Sequence, residues 1–282
     1  MSVFYIDGKY VDSTKATLPA NDLVILRGYG IFDFCRTYGG VPFQLGAHLR
    51  RLEKSAELLA LNCPWDIEEL MTIVVETLQR NTYEESYIRI VVTGGDSPDG
   101  FIPQGKSRLM VMVTSIPPII EAHYRDGAEV VTMEIERYLP GAKSLNYIPG
   151  IIARRKALQI NPKSVETMYC VDGNIIEGTT TNTFIVKDGT WITPGDKLLP
   201  GITRGETIKL IESSSTLEIR DISIEEYKAA DEIIITSTTK DVMPIVKVDE
   251  TVIGDGKVGM HAQKIMQTWR NMAETYAQGE MI

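Results

Sequence analysis

Histidine and cysteine are scarce in this 282-residue sequence, and their scarcity limits the chemistry that it can carry. The histidines are His48, His123 and His261, and the cysteines are Cys35, Cys63 and Cys170. No two of them have the spacing of zinc ligands, so we predict no metal site. The cysteines are odd in number and form no C-x-x-C pair. This favours free thiols in a reducing compartment, and therefore a cytoplasmic protein.

Long apolar runs and an excess of positive charge are also missing. The first residues, Met1–Asp7, contain neither a basic region nor a long apolar stretch, which predicts no signal peptide. No apolar run reaches the roughly 20 residues of a membrane-spanning helix. The net charge of −9 argues against a nucleic-acid binder. Hydrophobic residues make up 43% of the chain and charged residues 24%, an ordinary globular balance with material for a core.

The order of strand and helix signals predicts an α+β protein of two domains. Residues 3–11 read as a hairpin around Asp7-Gly8. Residues 47–61 and 66–79 have helical spacing of apolar side chains. Pro117-Pro118 interrupts regular structure. We predict a small α+β domain over residues 1–117, a linker over 118–125 and a larger strand-rich domain over 126–282.

Lys143 is the first candidate for chemistry. It lies in a loop of turn-forming residues, Pro140 to Asn146, just before a predicted helix over 147–159. A single loop lysine is usually solvated, but a short loop against a helix can present one amine rigidly. An amine nucleophile must be held and deprotonated, as a Schiff-base lysine is.

Two further segments favour an anion site. Gly201-Ile202-Thr203 opens a predicted helix, and Ser237-Thr238-Thr239 follows an apolar strand. Backbone N–H groups and hydroxyls at such positions can bind phosphate, although ordinary helix capping by Thr203 explains the first segment equally well. Arg51, in a predicted helix, could add a cation, but a lone helical arginine usually faces solvent.

Glu177 opens the polar segment Glu177-Gly178-Thr179-Thr180-Thr181-Asn182, which follows a predicted strand. A carboxylate there could pair with a protonated ring nitrogen, which is how a pyridoxal-5′-phosphate (PLP) enzyme makes its pyridine an electron sink. A polar turn with an exposed glutamate is the plainer interpretation. The residues alone therefore indicate a phosphate-binding enzyme with a candidate lysine.

Five motifs, taken in order, resemble the class IV aminotransferases, the PLP enzymes of fold type IV. They are His48-Leu49-Arg50-Arg51-Leu52, Lys143-Ser144-Leu145-Asn146-Tyr147, the segment 177–182, Leu199-Pro200-Gly201-Ile202-Thr203-Arg204 and Ser237-Thr238-Thr239. The family includes D-amino-acid, branched-chain and (R)-amine transaminases and aminodeoxychorismate lyase. The resemblance runs from about Phe4 to the C-terminal helix, and it implies the fold type IV architecture.

The resemblance implies a role for each matching residue. Lys143 would form the Schiff base with PLP and then act as acid and base. Glu177 would pair with the pyridine nitrogen, Tyr147 would reach the phenolic oxygen, and Leu199 would pack on the ring. The phosphate would be bound by Arg51, Ile202, Thr203, Ser237 and Thr238. A PLP carrier without turnover would need the phosphate site but not the ring-nitrogen carboxylate.

The motifs mix two subfamilies. Tyr87-Ile88-Arg89 and, in part, Phe32-Asp33-Phe34-Cys35-Arg36 match branched-chain enzymes, whereas the strand end Thr236-Ser237-Thr238-Thr239 and the K-S-L-N motif match D-amino-acid transaminases. The R-x-H motif of the latter is missing, since residues 93–96 read Thr-Gly-Gly-Asp.

Charge decides our preference. Arg27, Arg89 and Lys240 could suit the two carboxylates of D-glutamate and 2-oxoglutarate. We therefore predict a D-amino-acid transaminase, with a branched-chain enzyme as the alternative and the lyase or (R)-amine enzyme behind it. The predicted substrate residues are Arg27, Phe32, Tyr87, Arg89, Thr239 and Lys240. The resemblance also implies a homodimer in which the loop carrying Arg27 completes the site of the other subunit. The remaining partners are small amino and 2-oxo acids, with no nucleic acid and no membrane.

Overall fold

A computed structural model of the chain describes residues 2–104 and 106–278. These residues form a mixed α+β structure with two β-sheets, which confirms the predicted fold class. The density of internal contacts divides the chain into two compact units. Unit 1 consists of Met1–Pro117, Gly141–Tyr147 and Glu274–Ile282, and unit 2 consists of Pro118–Pro140 and Ile148–Ala273.

Unit 1 is built on a six-stranded sheet with the strand order β2-β1-β6-β5-β3-β4. Its strands are β1 (Val3–Ile6), β2 (Lys9–Asp12), β3 (Gly30–Tyr38), β4 (Val41–Pro42), β5 (Ser86–Thr93) and β6 (Arg108–Ser115). Its helices are α1 (Leu23–Arg27), α2 (Leu45–Leu58) and α3 (Ile67–Gln79). The predicted hairpin forms because Asp7 and Gly8 both take positive φ, as a tight two-residue turn requires. Asp66 caps α3 by accepting from the Glu69 N–H, as its position predicts.

One face of the unit 1 sheet is buried in the core. The other face, called the open face below, is only partly covered. On β3, Ile31 and Cys35 point into the core, where they meet Leu49 and Leu52 of α2. Successive side chains of a strand point to opposite faces. Phe32 and Phe34 therefore lie on the open face, where Phe32 is itself buried and Phe34 is half-buried. Arg89 of β5 stands directly opposite Phe34 in the register.

The end of the chain completes unit 1. The Tyr276 hydroxyl donates to the Pro42 carbonyl at 2.9 Å and accepts from the Gln44 N–H at 3.0 Å. Its ring packs edge-on against Phe43, with 4.9 Å between ring centroids. Gln44 is the residue at which α2 begins, so the C-terminal turn supports the start of that helix.

Unit 2 is built on a ten-stranded sheet with the order β12-β11-β10-β14-β15-β7-β8-β9-β13, and β16 pairs with β15. Its strands are β7 (Ala128–Glu134), β8 (Ser164–Val171), β9 (Asn174–Gly178), β10 (Asn182–Lys187), β11 (Thr190–Thr193), β12 (Leu217–Ile219), β13 (Ile222–Ser223), β14 (Glu232–Ser237), β15 (Asp241–Val248) and β16 (Thr251–Val252). The helices that begin in it are α4 (Glu121–Arg125), α5 (Ile148–Ile160), α6 (Ile202–Glu212), α7 (Ile224–Lys228) and α8 (Met260–Ala277). None of the described helices is both long and apolar enough to span a bilayer.

Turn chemistry and strand composition explain the unit 2 sheet. The turns at Asp172-Gly173 and Asp188-Gly189 take positive φ at both residues and close the β8–β9 and β10–β11 hairpins. Strand β7 runs parallel to β8, so the chain needs a crossover, which α5 supplies. The apolar strand β14 lies inside the sheet, between β10 and β15, with Ile233 and Ile235 in the core.

The units differ from the sequence-based domains in three places, one of which is the segment from Glu274, placed by sequence in the larger domain and grouped with unit 1. The predicted boundary at Pro117 coincides with the end of the first segment of unit 1. Residues 118–125, predicted as a linker, belong to unit 2 and contain α4, whose Tyr124 hydroxyl donates to the Lys240 carbonyl. Residues 141–147, placed by sequence in the larger domain, cluster with unit 1. Residues 1, 105 and 279–282 of the predicted domains lie outside the described residues.

Candidate active site

The Lys143 loop is fixed to strand β3 of unit 1 by backbone hydrogen bonds. The Lys143 carbonyl accepts from the Phe32 N–H at 3.0 Å, and the Leu145 N–H donates to the Gly30 carbonyl at 2.9 Å. The Lys143 N–H donates to the Ser55 hydroxyl at 3.0 Å. This pairing holds the loop as a strand-like segment, so the lysine is presented from a rigid support, as its surroundings in the sequence predicted.

The Lys143 amine lies over the open face of the unit 1 sheet. Its Nζ is 4.6 Å from the centre of the Phe32 ring. Tyr147 meets the same ring edge-on, with 5.6 Å between centroids, and the Arg89 guanidinium carbon lies 5.0 Å from it. Three polar groups therefore lie around the Phe32 ring: the amine of Lys143, the phenol of Tyr147 and the guanidinium of Arg89. The sequence analysis had assigned all three to one site.

Arg89 is a half-buried cation that has no carboxylate partner among the described residues. Its guanidinium carbon lies 4.7 Å from the centre of the Phe34 ring as well as close to Phe32. Burial lowers the pKa of Arg89, while Tyr147 acts in the opposite direction. The guanidinium keeps its charge at neutral pH because its reference pKa is above 12. A partly buried cation without a partner is suited to bind a carboxylate.

The other two predicted substrate residues of unit 1 lie in different surroundings. Tyr87 packs on Phe34, with 5.0 Å between ring centroids, on the same open face as Arg89. Arg27 is exposed at the end of α1, where its Nη1 donates to the Leu26 carbonyl at 2.8 Å. The described contacts of unit 1 therefore bring together Phe32, Tyr87, Arg89, Lys143 and Tyr147, and they do not join Arg27 to this group.

Arg51 is buried in unit 1 against a carboxylate that the sequence analysis missed. Its Nε and Nη2 each donate to Asp33 at 2.9 Å, and His48 Nδ1 donates to the same carboxylate at 2.6 Å. Burial alone would raise the pKa of Asp33, but the charge of Arg51 and the hydrogen bonds from His48 and Arg51 bring it well below its usual range. Burial lowers the pKa of His48 despite Asp33, so its ring is neutral at pH 7.

The Arg51–Asp33 pair is therefore a fixed, ionised pair inside unit 1. A guanidinium is suited to bind phosphate by its charge and its planar set of donors, and Asp33 fixes the orientation of this one. Asp33 could have been noticed in the sequence, because it lies between Ile31 and Cys35 on the core-facing side of β3, where an apolar residue is expected.

Glu177, at the end of β9 in unit 2, is buried, and its partners include a guanidinium and a backbone N–H group. Its Oε1 accepts from Arg137 Nη1 at 2.6 Å and its Oε2 accepts from the Leu199 N–H at 3.0 Å. Arg137 is further tied to the Pro140 carbonyl at 3.1 Å. The adjacent arginine favours the ionised carboxylate. No sequence pattern had indicated Arg137, since it lies 40 positions before Glu177.

Helix α6 offers an anion cradle at its N-terminus. Gly201 precedes the first turn, and Thr203 within that turn is buried. The first-turn N–H groups of a helix have no partner within the helix, and the helix dipole favours an anion there. A Cβ at position 201 would lie 2.0 Å from the Asn182 side-chain oxygen, so glycine is required. Asn182 is itself fixed by its hydrogen bond to the Leu199 carbonyl at 3.0 Å.

The strand-end segment of unit 2 is rich in hydroxyls, and Lys240 follows it. Ser237 and Thr239 hydroxyls are 3.3 Å apart, and the Lys240 N–H donates to Ser237 Oγ at 3.2 Å. Lys240 Nζ lies 3.5 Å from the buried Glu166 carboxylate and 3.3 Å from the Thr180 hydroxyl. Lys240 therefore already has a carboxylate partner, which the sequence did not reveal.

The residues present fit PLP. A buried anionic carboxylate suits a protonated pyridine nitrogen, and the start of α6 suits a phosphate. The buried hydroxyls of Thr181 and Thr236, in two of the motifs, have no hydrogen-bond partner among the described residues. Such groups are usually satisfied by a bound molecule or water. Within the described part of the chain, no three His, Cys, Asp or Glu side chains are placed to hold a metal ion.

Comparison with known proteins agrees with this geometry. The model of the class IV aminotransferase family matches residues 30–248. A putative branched-chain-amino-acid aminotransferase of Methanocaldococcus jannaschii is 33% identical over 280 residues, covering 95% of each chain. A D-alanine aminotransferase of Staphylococcus epidermidis is 30% identical over 285 residues, covering 98% of this chain and all of that one.

The fold is also found among solved structures. The branched-chain aminotransferase of the archaeon Thermoproteus uzoniensis, crystallised with norvaline, superposes with a TM-score of 0.89 over 99% of this chain and 96% of that one, at 26% identity. The family match covers most of the chain, and its cofactor chemistry suits the residues described above. This chain belongs to the class IV aminotransferases, enzymes of fold type IV that depend on PLP.

Proposed function

We propose that this aminotransferase transfers the amino group of a D-amino acid, of the D-glutamate or D-alanine type, to a 2-oxo acid such as 2-oxoglutarate or pyruvate. The kinetics would be ping-pong, since the amino donor would leave as its oxo acid before the acceptor binds. The observation that carries the proposal is Arg89, a half-buried cation without a carboxylate partner among the described residues, which shares the Phe32 ring with Lys143.

Lys143 is the proposed catalytic residue. PLP, when bound, supplies an electron sink that weakens the bond between the substrate's α-carbon and its hydrogen. Lys143 would hold the cofactor, and its amine would take up the proton of the substrate's α-carbon and give it back. Glu177, whose ionised form Arg137 favours, would hold a proton on the ring nitrogen. Tyr147 would contact the phenolic oxygen, and Leu199 would pack on the ring.

The phosphate donors are proposed separately for each unit. In unit 2, they are the first-turn N–H groups at Ile202 and Thr203 and the hydroxyls of Ser237 and Thr238. In unit 1, Arg51 provides the guanidinium, and Asp33 acts as a positioning residue because it holds that guanidinium from the other side. A fixed guanidinium loses little entropy on binding phosphate.

Arg89 is proposed to recognise the second carboxylate of a dicarboxylic substrate, with Phe32 and Tyr87 forming the apolar wall beside it. Thr239 lies in the segment that would face the α-carboxylate. Lys240 assists to a smaller extent, because Glu166 already compensates part of its charge. Arg27 would act from the other subunit, which suits its exposure in the single chain.

A branched-chain L-amino-acid aminotransferase is the second candidate. Phe32 and Phe34 surround Arg89 with aromatic surface, and such surface also suits an aliphatic side chain. The similarity to the M. jannaschii protein supports this candidate too. The two candidates differ in the hand of the donor, so a donor profile separates them.

Arg89→Leu is expected to weaken dicarboxylic substrates selectively. The wild type should use D-glutamate faster than L-leucine. In the variant, KM for D-glutamate and 2-oxoglutarate should rise about tenfold to a hundredfold, because one charge-assisted carboxylate contact is lost. KM for D-alanine and pyruvate should change little. Steady-state kinetics with each donor and acceptor measure this.

Two outcomes would count against the proposal. Faster turnover of L-leucine than of D-glutamate by the wild type would favour the branched-chain enzyme. An unchanged KM for D-glutamate in Arg89→Leu would show that the guanidinium is structural. Arg80→Leu, which removes a cation stacked on Tyr10 elsewhere in unit 1, is the matched control and should leave both constants unchanged.

Glu177→Gln is expected to reduce kcat at saturating donor about tenfold to a hundredfold. The neutral amide no longer favours the proton on the ring nitrogen, and one charge-assisted hydrogen bond is lost from the transition state. Glu129→Gln, a β7 glutamate that accepts from Asn161, serves as the control and should keep its rate. A Glu177→Gln enzyme that folds, binds PLP and turns over normally would refute the role.

The enzyme is expected to be a homodimer. Four of the exposed large apolar side chains of unit 1 belong to two segments, α1 and the loop after β5: Ile25, Leu26, Phe101 and Ile102. A Cβ at Gly100 would contact Leu26, so α1 and the loop after β5 form one patch next to Arg27. Light scattering should give about twice the 31.4 kDa of one chain. Phe101→Glu should lower that mass, and Val252→Glu, at another exposed position, should not; an active wild-type monomer would refute the dimer.

A further inference from the structure

Unit 2 contains a cavity that none of the proposed cofactor or substrate residues lines. Its volume is about 280 Å³, at the small end for ligand pockets. This equals the volume of about nine water molecules at roughly 30 Å³ each. The cavity lies where the C-terminal end of α6, strand β11 and the first half of α8 meet. It therefore has room for a small metabolite and not for a nucleotide.

The cavity is lined by both apolar and polar side chains. Trp191, Leu210 and Ile265 are among the apolar ones. Ser215, His261 and Lys264 bring a hydroxyl, an imidazole and an ammonium group. A ligand that uses both kinds of side chain has an apolar tail and a polar head.

The charges around the cavity favour an anion. Lys264 is exposed and has no ion-pair partner among the described residues. The nearby Glu232 carboxylate is already compensated, since it accepts from the N–H groups of His261 and Ala262 and from His261 Nδ1 at 2.8 Å. Because Nδ1 donates to Glu232, Nε2 is left as an acceptor, and the imidazole does not supply a donor for an anion. The groups that could bind an anion are therefore the Lys264 ammonium, which has no ion-pair partner in the described chain, and the Ser215 hydroxyl.

We propose that this cavity binds a small carboxylate with an aliphatic tail, of the size of a branched aliphatic acid. The carboxylate contacts Lys264 and the Ser215 hydroxyl, and the tail packs against Trp191, Leu210 and Ile265. A charge-assisted contact with an ammonium is about twice as strong as a neutral hydrogen bond, so Lys264 dominates the affinity. The proposal concerns binding and does not depend on which donor the enzyme prefers.

The test measures how many molecules of 4-methylvalerate each chain of the PLP-loaded enzyme binds, by equilibrium dialysis. Lys264→Glu should bind one molecule fewer than the wild type, or bind it at least about tenfold more weakly. Arg270→Glu reverses a second exposed charge on α8, outside the cavity, and should bind like the wild type. Both variants keep the proposed active-site residues, so binding at that site is the same in all three proteins.

A second variant separates contact from long-range charge. Ser215→Phe places a ring in the cavity, and this variant should lose the same bound molecule of 4-methylvalerate. The absorbance of bound PLP checks that the variant is folded. If Ser215→Phe does not fold, Ser214→Phe, at an exposed position, takes its place. Binding of 4-methylvalerate in the cavity should also change the fluorescence of Trp191, which lines it. Equal binding of 4-methylvalerate by the wild type and Lys264→Glu would overturn the proposal. It would also be overturned if Lys264→Glu lost the bound molecule while the folded phenylalanine variant still bound it.

Discussion

Lys143→Ala is expected to bind PLP without a covalent bond and to lose transamination. The wild-type amine is held over Phe32 by a loop that is paired to β3, so no other lysine of that loop or strand can replace it. Loss of general acid–base catalysis alone costs about 10²–10⁴ in rate, and loss of the covalent bond to the cofactor adds to this. The absorbance of the bound cofactor and the transamination rate together measure both effects.

Lys156→Ala is the matched control for this change. Lys156 is an exposed lysine of α5, in the helix that follows the Lys143 loop. It should keep the wild-type rate and absorbance. A Lys143→Ala enzyme that retained a rate close to wild type would show that the proposed catalytic residue is wrong, whatever the substrate.

Asp33→Asn is expected to cause the largest loss of stability. Asn has the size of Asp but leaves the Arg51 charge buried without its anion. Removing one partner of a buried ion pair costs about 3–5 kcal/mol in the free energy of unfolding. The affinity for PLP should fall too, because Arg51 loses the contact that positions it. Urea unfolding and PLP titration measure the two effects.

The effect of Asp33→Asn should depend on pH in a defined direction. The pKa of Asp33 is lower in the folded protein than in the unfolded chain, whose value is about 3.9. Its ionised form therefore stabilises the fold fully above that pH, and this contribution is lost as the pH falls toward the folded pKa. The difference in the free energy of unfolding between Asp33→Asn and the wild type should therefore become smaller at acidic pH.

Asp126→Asn provides the comparison for Asp33→Asn. Asp126 pairs with Arg125 on the surface, where both side chains are largely exposed. Exposed pairs contribute about 0–1 kcal/mol, so this variant should unfold almost like the wild type. Equal stability of Asp33→Asn and Asp126→Asn would mean that the buried pair is not what holds Arg51.

Local patterns predicted the elements because the physics that forms them is local. The Asp7-Gly8, Asp172-Gly173 and Asp188-Gly189 turns appear where their dipeptides allow positive φ. Helix α3 begins at the predicted cap. The small helices α1, α4 and α7 were missed, since a five-residue helix is too short to show a helical period.

Contacts between distant strands could not be predicted in the same way. Arg137 reaches Glu177, and Lys240 reaches Glu166, across a sheet whose order mixes parallel and antiparallel neighbours. A charged residue in a sequence shows its sign but not its partner. Arg89 could be placed because strand alternation puts it on the face of Tyr87, and that needs no knowledge of the sheet order.

The C-terminal turn around Tyr276 has a consequence for synthesis. The contact that supports the start of α2 comes from a residue 232 positions later in the chain. Helix α2 carries His48 and Arg51, so their surroundings stay incomplete until Tyr276 has been synthesised. A nonsense mutation just before Tyr276 would leave every proposed cofactor and substrate residue in the chain. The damage would appear instead far back in the sequence, in the packing of Phe43 and Gln44.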